Sequence, residues 1–347
     1  MNVLRLLTLT VVFLITACSP STPKVLVVSG PTMGTQYHIR WVETSGVTSS
    51  SVHTAVTERL EIIVGVFSTY DRNSELSKLN QQATSNVDKK IAVSAEMMSV
   101  MRDAEHVFKF SIGRFDPSVG PLVDLWGFGP SGPHDIPSDD AITALKKDTG
   151  FEKLTLYPEE GKFSMTAPLQ LDFSAIAKGW AVDDIALLLQ AMGVTNYLVE
   201  IGGEVRTNGE KPDGPWRIAI ERPVLMPGAL AQVILSPGNA AVATSGDYRN
   251  FFEHNGQRYS HTINPRTGRP VLHELASVSV IMPTCSLADA WATAITVAGP
   301  EAGMVLAEAN NLPVFMIVRK GEEMIERFSS SFERLYGEQI KAQVETQ

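Results

Sequence analysis

Four short segments of this 347-residue sequence carry more polar side chains than packing requires, and each suggests a chemistry. In Ser286-Leu287-Ala288-Asp289-Ala290-Trp291-Ala292-Thr293, Asp289 and Thr293 stand four residues apart, so on a helix a carboxylate and a hydroxyl share one face. Oxygen donors among small alanines suit a hard cation such as Mg²⁺. Ser286 to Asp289 fits a capping box equally well, which would satisfy helix N–H groups and imply nothing more. In Leu171 to Gly179, a strand delivers Asp172 to a tight connection before a helix, with Lys178 close by. That junction suits a polar ligand and a cation bound by exposed carbonyls, or else capping with a surface ion pair. In Ser260-His261-Thr262-Ile263-Asn264-Pro265, an imidazole follows a strand beside a rigid turn. It titrates near neutral pH and could take a proton from a hydroxyl, although any one of seven histidines is more often structural. Thr32-Met33-Gly34-Thr35 is a small-residue turn that lets backbone approach a ligand, or simply the start of a strand.

Other patterns carry no chemistry. Gly127-Phe128-Gly129-Pro130-Ser131-Gly132 matches the dinucleotide fingerprint by letter, but the prolines inside and after it cannot open the required helix. Walker A, His-Glu-x-x-His and Gly-x-Ser-x-Gly sequences are absent, so P-loop, zincin and α/β-hydrolase readings have no anchor.

The elements that must position these residues follow from periodicity and caps. Helical spacing runs over 52–67 and over 96–108 behind Ser94 as N-cap; Ser138 to Thr149 opens with Asp139 and Asp140 and ends at Gly150. Further helices are expected at 178–192 and 286–298, with another starting at Pro300. Strands are expected at 35–42, 153–157, 162–165, 170–173 and 196–201, as short pieces over 215–245, and as a hairpin of 314–319 with 324–328. Helices and antiparallel hairpins without regular βαβ alternation predict one large α+β domain over 25–340.

The chain is 44% hydrophobic and 19% charged, which excludes a disordered chain or a small disulfide scaffold. Its net charge of −9 argues against nucleic acid as a partner, and two cysteines cannot build a Cys-rich zinc module. Leu6 to Ala17 is an apolar run too short to span a bilayer of about 30 Å. It ends in small residues before Cys18, so residues 1–17 read as a lipoprotein signal peptide, with Cys18 acylated and 18–24 a tether. The expected location is the bacterial cell envelope, lipid-anchored and facing the periplasm. Cys285 would then be the only thiol, and stability must come from the core.

Taken in order, the segments resemble the ApbE family of FAD:protein FMN transferases. The resemblance covers nearly the whole mature chain: 32–35, Ser68-Thr69-Tyr70, Phe115 through Val123 with 125–129, 172–179, Ile201-Gly202-Gly203-Glu204, Thr244 through Asn250, 260–268, and Ala288-Asp289-Ala290 with Thr293. It implies a T-fold-like domain and a Mg²⁺-dependent enzyme with FAD as substrate. Such an enzyme attaches FMN by a phosphoester to a Ser or Thr of a membrane redox-complex subunit and releases AMP. By resemblance, Asp289, Thr293 and the Ala175 carbonyl would hold Mg²⁺, and His261 would serve catalysis. Met33, Tyr70, Asp116, Asp172, Lys178 and Ile263 would contact FAD, with Arg249 a further cation for the phosphates. The rival readings are a Mg²⁺-dependent FAD pyrophosphatase and a non-enzymatic flavin-binding lipoprotein.

Overall fold

The computed structural model describes residues 22–344 apart from 133–134, 224–230, 247–250, 255 and 322. The expected lipidation residue Cys18, the expected signal segment and Arg249 therefore lie outside the described residues. Among those described, no helix is long and apolar enough to cross a membrane.

The frame is one eight-stranded sheet whose spatial order equals its chain order. Its strands are β1 (Val25–Thr32), β2 (Thr35–Val42), β3 (Tyr197–Ile201), β4 (Glu204–Asn208), β5 (Ala241–Gly246), β6 (Leu275–Met282), β7 (Val314–Lys320) and β8 (Glu323–Phe328). Every neighbouring pair is antiparallel. Two of the tight turns sit beside the site. Met33 and Gly34 take φ of 46° and 72° between β1 and β2, and Gly202 and Gly203 take 64° and 106° between β3 and β4. Two-residue hairpins favour such left-handed turns because their twist matches that of the strands.

One face of the sheet is covered by helices α1 (Ser49–Phe67), α2 (Ala95–Phe110), α3 (Ala177–Ala191) and α4 (Cys285–Ala298), followed by α5 (Pro300–Ala309). Alternation along β2 sends Tyr37, Ile39 and Trp41 into the main core, where they meet Val56, Ile63, Ile185 and Trp291. A smaller core on the opposite face packs Val242, Ile281, Phe315 and Ile317 against Phe332 of α6 (Ser330–Val344) and an outer ribbon, Ile218–Glu221 paired with Ala231–Leu235. The chain is thus α+β, as its sequence predicts. Ser94 and Ser138 cap their helices as expected, each accepting an N–H three residues on.

Three expectations need correction. Residues 170–173 form no strand: Asn80 supplies both ladder partners of Leu171 from its side-chain amide, and the Asp172 N–H donates to the Pro117 carbonyl. The helix after Ser138 stops at Lys146, short of Thr149. Ser286 caps nothing; its hydroxyl donates to Asp103, 2.6 Å away, and the first helix N–H groups go to Asp183.

Candidate functional site

Where α3 crosses α4, the chains approach too closely for any residue but glycine at 179. A Cβ there would collide with the Cys285 carbonyl and lie 2.8 Å from Cβ of Asp289. The close approach lets the Gly179 N–H donate to Asp289 Oδ2 at 3.1 Å. Lys178 reaches between two nearly buried carboxylates, 3.2 Å from Glu204 Oε1 and 3.7 Å from Asp289 Oδ2. Burial works to lower the Lys178 ammonium, but Asp289 and Glu204 outweigh it and hold the group above the usual lysine range. Burial raises the Glu204 carboxyl above the ordinary carboxylate range, with Lys178 opposing. Under pressure from two carboxylates and one ammonium, this corner of the molecule keeps one negative charge more than it neutralises when all three are ionised.

A cavity of about 350 Å³ opens on this group. Of the residues expected at the site, Tyr70, Asp116, Asp172, Ala175, Lys178, His261, Ile263, Asp289 and Thr293 all line it. Met33 does not; its turn stands behind the cavity's Gly202, against which the Thr35 methyl lies. Two of the lining acids already serve the backbone. Asp116 accepts from the Ser118 N–H and hydroxyl, at 2.8 and 2.6 Å, and Asp172 accepts from the Ser174 N–H at 2.7 Å. Burial raises the Asp116 carboxyl, and the Ser118 bonds pull it back.

The opposite wall is aromatic. Tyr70 is 70% exposed, with its hydroxyl 3.5 Å from the Phe128 carbonyl. Phe128 meets Phe252 at 5.4 Å and the His261 ring edge-on at 6.3 Å, and Tyr259 stacks between Phe252 and Trp126. The Trp126 indole N–H donates to the Gly268 carbonyl at 2.8 Å, which ties the 264–268 turn to this wall.

Sequence reasoning assigned no role to Glu204 or Asp183, although both matter here. Glu204 follows the Gly202-Gly203 turn directly, so its position at a strand start was the available signal. Asp183 is an acid on an otherwise apolar helix face. It accepts the Cys285 and Ser286 N–H groups, each at 2.9 Å, and pairs with Arg206 of β4. It thereby caps α4 from another helix, because Thr284 supplies no side-chain cap.

The oxygen donors fit a hard divalent cation. Asp289, Thr293 and Ala175 share the cavity, and Glu204 Oε2 beside them is buried without a hydrogen-bond partner. Among the described residues no three His, Cys, Asp or Glu side chains converge to hold a metal, so a cation here must draw on hydroxyl and carbonyl oxygens too.

Comparison with known proteins gives a consistent answer. A family model described as "ApbE family" matches residues 33–316. The FAD:protein FMN transferase of Vibrio cholerae is 46% identical over 308 residues, covering 88% of this chain and 90% of that protein. The Haemophilus influenzae protein of the same name is 38% identical over 326 residues, covering 92% and 93%. Among solved structures, the flavin transferase ApbE from Vibrio cholerae superposes with a TM-score of 0.82 at 42% identity, covering 90% of this chain and 99% of that one. The apo flavinyl transferase ApbE of Pseudomonas stutzeri gives 0.83 at 37% identity, covering 91% and 98%.

Proposed function

This chain belongs to the ApbE family, and on that premise we propose how it works as an FAD:protein FMN transferase. It splits FAD between its phosphates with Mg²⁺ in the cavity, joins FMN by a phosphoester to a Ser or Thr of an acceptor redox subunit, and releases AMP. The observation that carries this reading is the convergence of His261, Lys178, Asp289 and Thr293 on one cavity from three distant stretches of sequence.

Asp289, Thr293 and Ala175 would hold the cation, which when bound supplies charge neutralisation at the diphosphate. Lys178 adds a fixed positive charge at the same end, so an acidic chain can still receive an anionic dinucleotide. The Gly179 N–H and Lys178 fix the Asp289 carboxylate before substrate arrives. Tyr70 offers an exposed ring against which a planar heterocycle can stack. His261 accepts the proton of the acceptor hydroxyl as its oxygen bonds to the flavin-side phosphorus. The bond from that phosphorus to the bridging oxygen breaks, and the electron pair leaves with AMP. We further propose that acylated Cys18 anchors the enzyme to an envelope membrane, with the domain in the periplasm.

The decisive measurement incubates residues 22–347 with FAD, Mg²⁺ and a pool of Ser- and Thr-containing peptides, with and without chelator. The expected result is peptide carrying FMN, equimolar AMP, and loss of both on chelation. FMN and AMP in solution beside unmodified peptide would make the protein a pyrophosphatase. Bound, intact FAD would make it a carrier.

A further inference from the structure

Lys178 is the second residue of α3, and its side chain crosses from that helix to the tip of the β3–β4 hairpin. The tip holds it at two points. Its stem lies on the Gly202 turn, where an added Cβ would meet Lys178 Cδ at 3.3 Å, and its ammonium sits 3.2 Å from Glu204 Oε1. Gly202 takes φ of 64°, so the turn is made by a residue that also leaves the stem room. On the helix side the hold is looser: Asp289 Oδ2 is 3.7 Å away and already accepts the Gly179 N–H. Glu204 keeps a further acceptor in reserve, because its Oε2 is buried and has no hydrogen-bond partner among the described residues.

These contacts set up a competition. A cation held through Asp289 and an ammonium on the same carboxylate are like charges on one acceptor, and each weakens the other's hold. An ammonium has three N–H donors, and a buried carboxylate oxygen without a partner is unfavourable until a donor reaches it. A small turn of the Lys178 head toward Glu204 answers both.

We propose that Glu204 is a positioning residue that takes Lys178 over from Asp289, which frees the Asp289 carboxylate for a divalent cation while the ammonium stays at the cavity. The inference rests on the cation site of the transferase reading and gives a role to a residue outside that site. Glu204 itself binds neither cation nor substrate. It clears Asp289 without letting the positive charge leave, so cation and ammonium face the diphosphate together. Without Glu204, Lys178 has only Asp289 to pair with, and every cation must displace it.

The test is Mn²⁺ binding to the full chain without FAD, read from loss of the free-ion paramagnetic signal, in wild type, Glu204→Gln, Lys178→Met and the double variant. Glu204→Gln is expected to weaken Mn²⁺ binding about tenfold. In the Lys178→Met background the same change should cost less than about twofold, because no ammonium remains to be moved. An equal loss in both backgrounds overturns the proposal, by making Glu204 a ligand or a simple source of charge. No loss in either background overturns it as well. If Glu204→Gln lacks a cooperative thermal transition, Glu204→Asp replaces it in both backgrounds; it keeps the charge, shortens the reach, and should show the same dependence on Lys178. If wild type binds no Mn²⁺, the cation site of the transferase reading falls first and takes this inference with it.

Discussion

The floor and the aromatic wall of the cavity are held by different forces. On the floor, Asp289 takes a backbone N–H and neighbours an ammonium, Lys178 is clasped by two carboxylates, and Asp183 fixes the start of α4 from α3. These contacts are directional and nearly buried, so a displaced atom loses both its hydrogen bond and its solvation. The wall is Tyr70, Phe128 and His261 on loops and the end of a hairpin, with Phe128 and His261 ring against ring and the Tyr70 hydroxyl reaching the Phe128 carbonyl. Ring contacts tolerate sliding at little cost. The comparison teaches a division of labour, in which the floor fixes charge and the wall accommodates shape.

Substitutions can break or sharpen that contrast. Asp289→Ala removes the central floor carboxylate, and transfer is expected to fall by about 10² to 10³ at saturating FAD. Steady-state release of AMP measures it; near-wild-type turnover would remove Asp289 from the chemistry. Gly179→Ala forces α3 away from α4 and should cost about 1–3 kcal/mol in stability, read as a lowered denaturant midpoint, with turnover lost in parallel. Asp183→Asn keeps the shape but weakens the tertiary cap and the Arg206 pair, at about 1–2 kcal/mol. Because Asp183 is not among the residues that line the cavity, its effect should appear mainly in kcat and stability, with FAD affinity nearly preserved. The smallest effect belongs to the wall: Tyr70→Ala should weaken FAD binding by about 0.5–1.5 kcal/mol and leave the folding midpoint in place. Loss of fold on Tyr70→Ala would erase the distinction between the two regions.

Much of this was legible in the residues themselves. The four-residue spacing of Asp289 and Thr293 announced a shared helical face, and Ser94 and Ser138 announced the helices they cap. What escaped was whatever depends on distant partners. Residues 170–173 look like a strand, yet their hydrogen bonds are filled by Asn80, some ninety positions away, and by Pro117. Ser286 looked like part of a capping box, but Asp103 and Asp183 approach from two other helices and divide its bonds between them. β1 is an edge strand with only Val28 buried, so its alternation was too faint to register. Glu204 was visible only as part of a motif, because nothing local reveals that Lys178 will reach it.

The sheet whose spatial order equals its chain order also has a consequence for how the protein is made. From β3 to β8 each strand finds its partner after a short or moderate loop, so that part can assemble progressively. β2 must instead wait for residues 43–196 before β3 exists to pair with. Closing so long a loop is slow in a way that hairpins are not. The same long excursion carries Tyr70, Asp116, Asp172 and Lys178. The step that seals the sheet is therefore the one that completes the cavity, bringing these residues to Glu204, His261, Asp289 and Thr293 of the other half.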